Sequence, residues 1–128
     1  MLLLGSSGSG KSDLLLRLID RGFTLVADDR VDLEDGLASP AAGLEGLVEM
    51  RSLGILRMPY QAPVRLALVC ELLAPGSSAA LRLPAAALHA LGLPMLRFDA
   101  RPASAPLLVS HALDCVQGRL AMHAGAFA

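Results

Sequence analysis

The chain has 128 residues, enough for one domain with a core of its own. Hydrophobic residues make up 54% and charged residues 18%, an apolar balance for a soluble monomer that points to subunit contacts over part of the surface. A net charge of -1 excludes a broadly basic surface for nucleic acid or anionic membrane; 3% aromatics with no Trp argue against base stacking, and no apolar run nears the ~20 residues of a membrane span.

In chain order, Leu2-Leu3-Leu4 is a short apolar run of the kind that forms a buried strand. It is too short for a signal-peptide core and no basic segment precedes it, so a cytoplasmic protein is expected. Gly5-Ser6-Ser7-Gly8-Ser9-Gly10-Lys11-Ser12 follows and fits G-x-x-x-x-G-K-[ST], the phosphate-binding P-loop. The amphipathic stretch from Lys11 to about Arg21, stopped by Gly22, predicts a helix opening from that loop. Strand, glycine loop and helix are the context the motif needs. Glycines let backbone N–H groups close around phosphate oxygens, and the helix N-terminus adds the positive end of its dipole. Lys11 would carry its charge to the β- and γ-phosphates of ATP, and the Ser12 hydroxyl would ligate Mg²⁺. A flexible Gly/Ser linker shares the composition of the loop, but it does not explain a lysine and an amphipathic helix immediately afterwards.

Phe23-Thr24-Leu25-Val26-Ala27 reads as a compact strand ending in Asp28-Asp29. Residues 30–46 read as strand fragments and turns, and residues 47–58 as strand-like with a turn around Ser52 to Gly54. Residues 64–73 form a strong strand candidate, Pro75-Gly76-Ser77-Ser78 a turn, and Leu81 and Leu83 alternate about Arg82. Residues 85–91 predict a short helix stopped by Gly92, residues 93–99 an extended segment, and residues 107 to about 122 a last helix before a frayed tail. No repeat and no long linker interrupts the chain, so residues 1–128 are expected to form a single α/β domain, a mixed β-sheet with helices packed against it. Cys70 and Cys115 read as buried structural thiols, too widely spaced for zinc or a redox pair.

Asp28 and Asp29 stand where a strand end beside a P-loop brings a carboxylate to Mg²⁺ or to the proton of a phosphoryl acceptor. On an extended segment the two point to opposite faces, so one can serve the reaction and the other its surrounding network. A polar surface turn is the other reading of Asp-Asp-Arg. Glu49-Met50-Arg51 interrupts an apolar stretch; Glu49 could help hold Mg²⁺ and Arg51 could offset charge on a transferred phosphoryl group, but from the residues alone an exposed strand face with an ion pair is preferred. His89, His111 and His123 show no ligand spacing and read as structural or surface residues.

Together G-S-S-G-S-G-K-S-D, L-I-D-R-G-F and L-V-A-D-D at ungapped spacing resemble the catalytic domain of HPr kinase/phosphorylase, and residues 48–56, V-E-M-R-S-L-G-I-L, resemble that family's signature E-I-R-G-[LI]-G-I. The likeness is strong from Leu2 to Asp29, good from Leu47 to Leu56 and weak beyond, where Arg82-Leu83-Pro84 and Leu91-Gly92-Leu93-Pro94 are similar to the distal part of short members. The resemblance implies a P-loop fold of the phosphoenolpyruvate carboxykinase-like type and a homo-hexamer. It also implies an ATP- and Mg²⁺-dependent serine kinase acting on HPr, the phosphocarrier of the sugar phosphotransferase system, with reversal by phosphorolysis. By position it implies that Gly5, Ser6, Ser7, Gly8, Ser9, Gly10, Lys11 and Ser12 bind the nucleotide. Asp29 would be the base toward the acceptor serine, Asp28 its neighbour in the network, and Ser12 and Glu49 metal ligands, with Arg51 and Arg82 as catalytic arginines. The match raises Glu49 from a surface residue to a functional candidate.

Three departures accompany the likeness. Ser52 replaces the signature's first glycine. The family's distal P-V-x-P-G-R-N is here Phe98-Asp99-Ala100-Arg101-Pro102-Ala103-Ser104, which puts phosphorolysis in doubt. The family's histidine on a strand upstream of the P-loop has no counterpart, so an N-terminally truncated form with weakened folding or catalysis is expected. Kinase action on HPr or an HPr-like carrier is the leading expectation. A small-molecule kinase on the same scaffold, or an inactive nucleotide-binding regulatory module, are the alternatives. The geometric expectation is that the glycine turn wraps the triphosphate and the acidic pair converges on its terminal group.

Overall fold

The computed structural model describes residues 1–75, 77 and 81–128. In chain order the elements are β1 (Leu2–Leu4), α1 (Lys11–Asp20), β2 (Val31–Glu34), β3 (Leu37–Pro40), β4 (Leu47–Met50), β5 (Gly54–Arg57), β6 (Val64–Arg65), β7 (Val69–Leu72), β8 (Met95–Phe98) and α2 (Ala105–Val116). The fold is α/β. Its residues gather into two compact units, one of Met1–Leu14 with Ala67–Ala128 and one of Leu15–Leu66.

The first unit is built on a parallel sheet in the order β1-β7-β8. Leu2 pairs with Val69 and Val69 with Met95, so β7 lies between the other two. Val69 and Cys70 are fully buried, and Leu72 nearly so, because a central parallel strand is covered on both faces. Leu14, Leu68, Phe98, Ala100 and Val109 complete the core. Burial pushes the Cys70 thiol up to about 12. Cys70 is therefore expected to escape a thiol reagent at about pH 8 in the native protein, leaving at most the half-buried Cys115 to react. Titration with dithionitrobenzoate should count no more than one thiol before denaturant and two after; two before it would mean that β7 is not enclosed.

The second unit holds antiparallel pairs. β2 and β3 form a hairpin in which Glu34 faces Leu37, closed by Asp35 and Gly36 with φ of 52° and 76°. Two consecutive left-handed residues make the turn whose twist matches the strands, and Asp-Gly is its favoured sequence. β6 extends this pair, and β4 and β5 form a second hairpin with Val48 opposite Leu56. Leu18, Leu25, Ala38, Ala41, Val48 and Leu66 are its buried hydrophobic residues. Helix α1 ends as the sequence predicts. Gly22, at φ 107°, donates to the carbonyl of Ile19, and Phe23 to that of Leu18, a Schellman cap that satisfies the last carbonyls.

Several expected elements differ. Residues 23–27 form no strand, because their pairing is confined to one isolated bridge, Leu25 to Tyr60; beyond them Asp29, at φ 64°, leaves the extended region. Residues 64–73 are not one strand but two, since β6 pairs with β3 while β7 pairs with β1 and β8. Residues 85–91 are not helical. The N–H of His89 bonds the carbonyl of Leu93 and that of Met95 the carbonyl of Ala87, so pairing across a turn takes the backbone groups a helix would need. The last helix stops at Val116, capped at Gln117 before Gly118 at φ 76°. The tail is not frayed: Ala126 is buried and the Phe127 N–H meets the Met122 sulfur at 3.2 Å. The expected turn at residues 75–78 lies partly outside the described residues, at Gly76 and Ser78. Among the described residues no helix is long and apolar enough to cross a membrane.

Candidate active site

In the first unit the chain leaves β1 at Gly5 and enters α1 at Lys11. Between them Gly8 and Gly10 adopt φ of 82° and 91°, values that an L side chain resists, so the glycines of the motif are needed where they stand. Ser9 donates its N–H to the Ser6 carbonyl at 3.1 Å and Leu14 to the Gly10 carbonyl at 2.9 Å, closing the turn and starting the helix. The ammonium of Lys11 folds back and donates to the Gly5 carbonyl. Ser6, Ser7, Gly8 and Ser12 are exposed. The open space at Gly8, where an added Cβ would meet nothing within 4 Å, and the positive end of the α1 dipole suit a phosphate chain. The residues present fit the nucleotide that the motif implies.

The parallel pairing brings a second segment to the loop. β8 ends at Phe98, and the methyl of Ala100 lies 3.5 Å from where a side chain on Gly10 would begin. This approach joins residues far apart in sequence and leaves no local signal. Next to it Arg101 grips Asp99 through two side-chain bonds of 2.9 Å each, which hold the Asp99 carboxyl below its usual range.

The second unit carries the acidic candidates. Asp28 is half-buried and its Oδ2 accepts the N–H of Glu49 at 3.4 Å. Asp28 and Glu49 are thus brought together, although the Glu49 side chain is exposed on β4 opposite Ile55. Asp29 is exposed and left-handed, a conformation Asp tolerates better than most residues. Strained backbone at a candidate base is a recurrent functional mark. Arg51 is exposed in the turn after β4. Arg82 is exposed as well, in the first unit, where it borders a groove of about 500 Å³ walled by Leu96, Phe98, Leu108 and Phe127.

Ser52 follows at φ 69°, which explains why a glycine belongs at this position in the signature. Ser52→Gly is expected to stabilise the chain by about 0.5–1 kcal/mol, the left-handed penalty less the entropy glycine loses. A urea midpoint unchanged or lowered by the substitution would count against the turn described here.

Residues 1–61 match the family model of the HPr Serine kinase C-terminal domain. The likeness is to the HPr kinase/phosphorylase family. The match runs through both the P-loop segment and the signature, and Arg82 lies beyond it. The HPr kinase/phosphorylase of Listeria welshimeri is 48% identical over 64 residues, covering 45% of this chain and 20% of that protein. That of Clostridium novyi is 44% identical over 63 residues, covering 46% of this chain and 20% of its own. The matched segments thus span about a fifth of these relatives. The structure of the Hpr(Ser) kinase/phosphatase from Coxiella burnetii shares the fold, with a TM-score of 0.73 over 91% of this chain and 82% of that one, at 24% identity.

Proposed function

We propose that residues 1–128 act as one P-loop kinase domain that phosphorylates a serine of HPr or an HPr-like phosphocarrier from Mg·ATP. The observation that carries this reading is the glycine turn that delivers Lys11 and Ser12 into the first turn of α1. In the reaction the acceptor serine oxygen bonds to the γ-phosphorus, the bond from that phosphorus to the β–γ bridging oxygen breaks, and the serine proton passes to the Asp29 carboxylate. Gly5 to Ser12 hold the phosphate chain through backbone N–H groups and the Lys11 ammonium. Ser12 and Glu49 are the residues that would hold Mg²⁺, whose charge would offset that of the phosphates. Asp28 fixes the backbone of Glu49 through its Oδ2. Arg51 and Arg82 offset charge on the transferred group. A cytoplasmic homo-hexamer, and reversal by phosphorolysis, belong to the same reading.

The test is radiolabelled ATP with purified HPr-type carrier, followed by mapping of the labelled residue. Label on a carrier serine supports the proposal. Nucleotide binding without transfer would make the protein a regulatory module, and transfer to a metabolite instead of the carrier would make it a small-molecule kinase.

A further inference from the structure

Helix α2 turns one face to the groove beside Arg82: Leu108, His111, Ala112 and Cys115 all line it, at alternating steps of three and one along a single helical stripe. Leu96 and Phe98 of β8 form a second side, and Met122 and Phe127 of the ordered tail a third. Its volume of about 500 Å³ is that of a small-molecule site. Apolar side chains supply the sheltered lining: Phe98, Ala112 and Ala126 are buried, and Leu96, Cys115 and Phe127 half-buried. The basic residues of the groove, Arg82, Arg97, His111 and His123, are all exposed and form its rim. No aspartate or glutamate is among the described residues that line it. Arg97 is held by Glu71 at 3.3 Å, and His111 places Nδ1 2.8 Å from the Leu107 carbonyl oxygen. Arg82 has no ion pair or hydrogen bond among the described residues.

We propose that this groove binds an amphiphilic monoanion, a medium-chain carboxylate, with its alkyl chain along the apolar lining and its head group at Arg82. Two features select that class. An open apolar channel is unfavourable in water, and an alkyl chain laid along it takes that surface out of solvent. At the rim stands a guanidinium without a counter-ion, whose paired N–H donors match a carboxylate, and no acid lines the groove to repel one. A cationic amphiphile would bring its charge to Arg82 and find no carboxylate among the lining residues, and a short carboxylate would forgo the burial. The groove lies wholly within the unit of Met1–Leu14 and Ala67–Ala128 and its occupation needs no nucleotide, so the inference stands apart from the kinase reading. Where that reading holds as well, a carboxylate on Arg82 withdraws this cation from the transferred phosphoryl group and inhibits the reaction.

The experiment titrates the full chain, without nucleotide, with decanoate, acetate and decyltrimethylammonium by calorimetry, and maps the decanoate site by backbone amide shifts. One decanoate per chain is expected to bind, about tenfold or more tightly than either of the others, and to shift amides of residues 108–127 rather than those of β2 to β5. Arg82→Gln is expected to weaken decanoate about tenfold, the size of one charge-assisted hydrogen bond, and to leave decyltrimethylammonium no weaker. Leu108→Glu sets a carboxylate beside the chain and is expected to abolish decanoate binding. Absence of decanoate binding, equal binding of the two amphiphiles, shifts confined to β2 to β5, or full affinity in Arg82→Gln would each overturn the proposal. A chain that ignores decanoate, elutes from gel filtration as an oligomer and becomes monomeric as Leu108→Glu would have a second copy in the groove, which overturns it too. If Leu108→Glu does not fold, Arg82→Gln, at an exposed position, decides the matter alone. None of these failures touches label transfer to a carrier, and decanoate binding by a chain without kinase activity would leave this proposal standing.

Discussion

Asp29→Asn is expected to reduce serine phosphorylation about a thousandfold while nucleotide binding stays within a factor of two. A positioned base contributes on the order of 10²–10⁴ in rate, and asparagine cannot take the acceptor's proton. The substitution suits this site because residue 29 sits at φ 64°. Asparagine enters the left-handed region as readily as aspartate, whereas alanine there would mix a backbone penalty with the chemical loss. Folding is therefore preserved and the deficit belongs to the carboxylate. The measurement is the single-turnover rate of label transfer to carrier, alongside titration with a fluorescent nucleotide. A rate within fivefold of wild type would remove Asp29 from the reaction. Asp28→Ala offers a contrast, because its role runs through the Glu49 N–H: the expected change is a higher Mg²⁺ requirement rather than a uniform loss of rate.

The second large effect concerns stability. Gly46→Ala is expected to cost about 3 kcal/mol or more. Gly46 is buried at φ 72°, and a Cβ on it would lie 2.6 Å from the Met58 carbonyl oxygen. Left-handed backbone costs an alanine about 1–2 kcal/mol, and forced overlap with packed atoms a further 1–3 kcal/mol. The obstacle is main chain, tied by the Met58 N–H bond to the Gly46 carbonyl at 2.7 Å, so it cannot swing aside. Gly43→Ala isolates the two contributions. Gly43 has φ 85° but nothing within 4 Å of its virtual Cβ, so only the torsional cost applies. Equal losses for the two variants in urea denaturation would show that the approach at Gly46 is looser than described. Because Gly46 leads into β4, its loss is also expected to displace Glu49.

What could be read from residues alone follows how local the determining interactions are. The P-loop and α1 are legible because spacing, glycine conformation and the Gly22 cap all act within a few positions. The β4–β5 hairpin is legible for the same reason, its turn marked by Ser52 and Gly54. Residues 64–73 mislead because one apolar run supplies strands to two different sheets, and hydrophobicity carries no record of the partner. Residues 85–91 mislead because alanine-rich sequence favours a helix, yet Leu88 is 71% exposed and no face is available to bury. The end of α2 was marked by Gly118, a signal outweighed by the apolar residues beyond it. Within the candidate site, the glycine turn that leads into α1 is legible from the sequence. The Asp28–Glu49 bond and the seat of Ala100 are not, since each joins segments that meet only after folding.

The seat of Ala100 has a consequence for the turn it faces. Its methyl group, just past the end of β8, lies 3.5 Å from where a side chain on Gly10 would begin, so the room beside the last glycine is bounded by a segment distant in sequence. Enlarging that methyl would crowd the turn from behind. The shape of the glycine turn thus depends on a stretch of chain outside the motif, where substitution leaves every residue from Gly5 to Ser12 untouched.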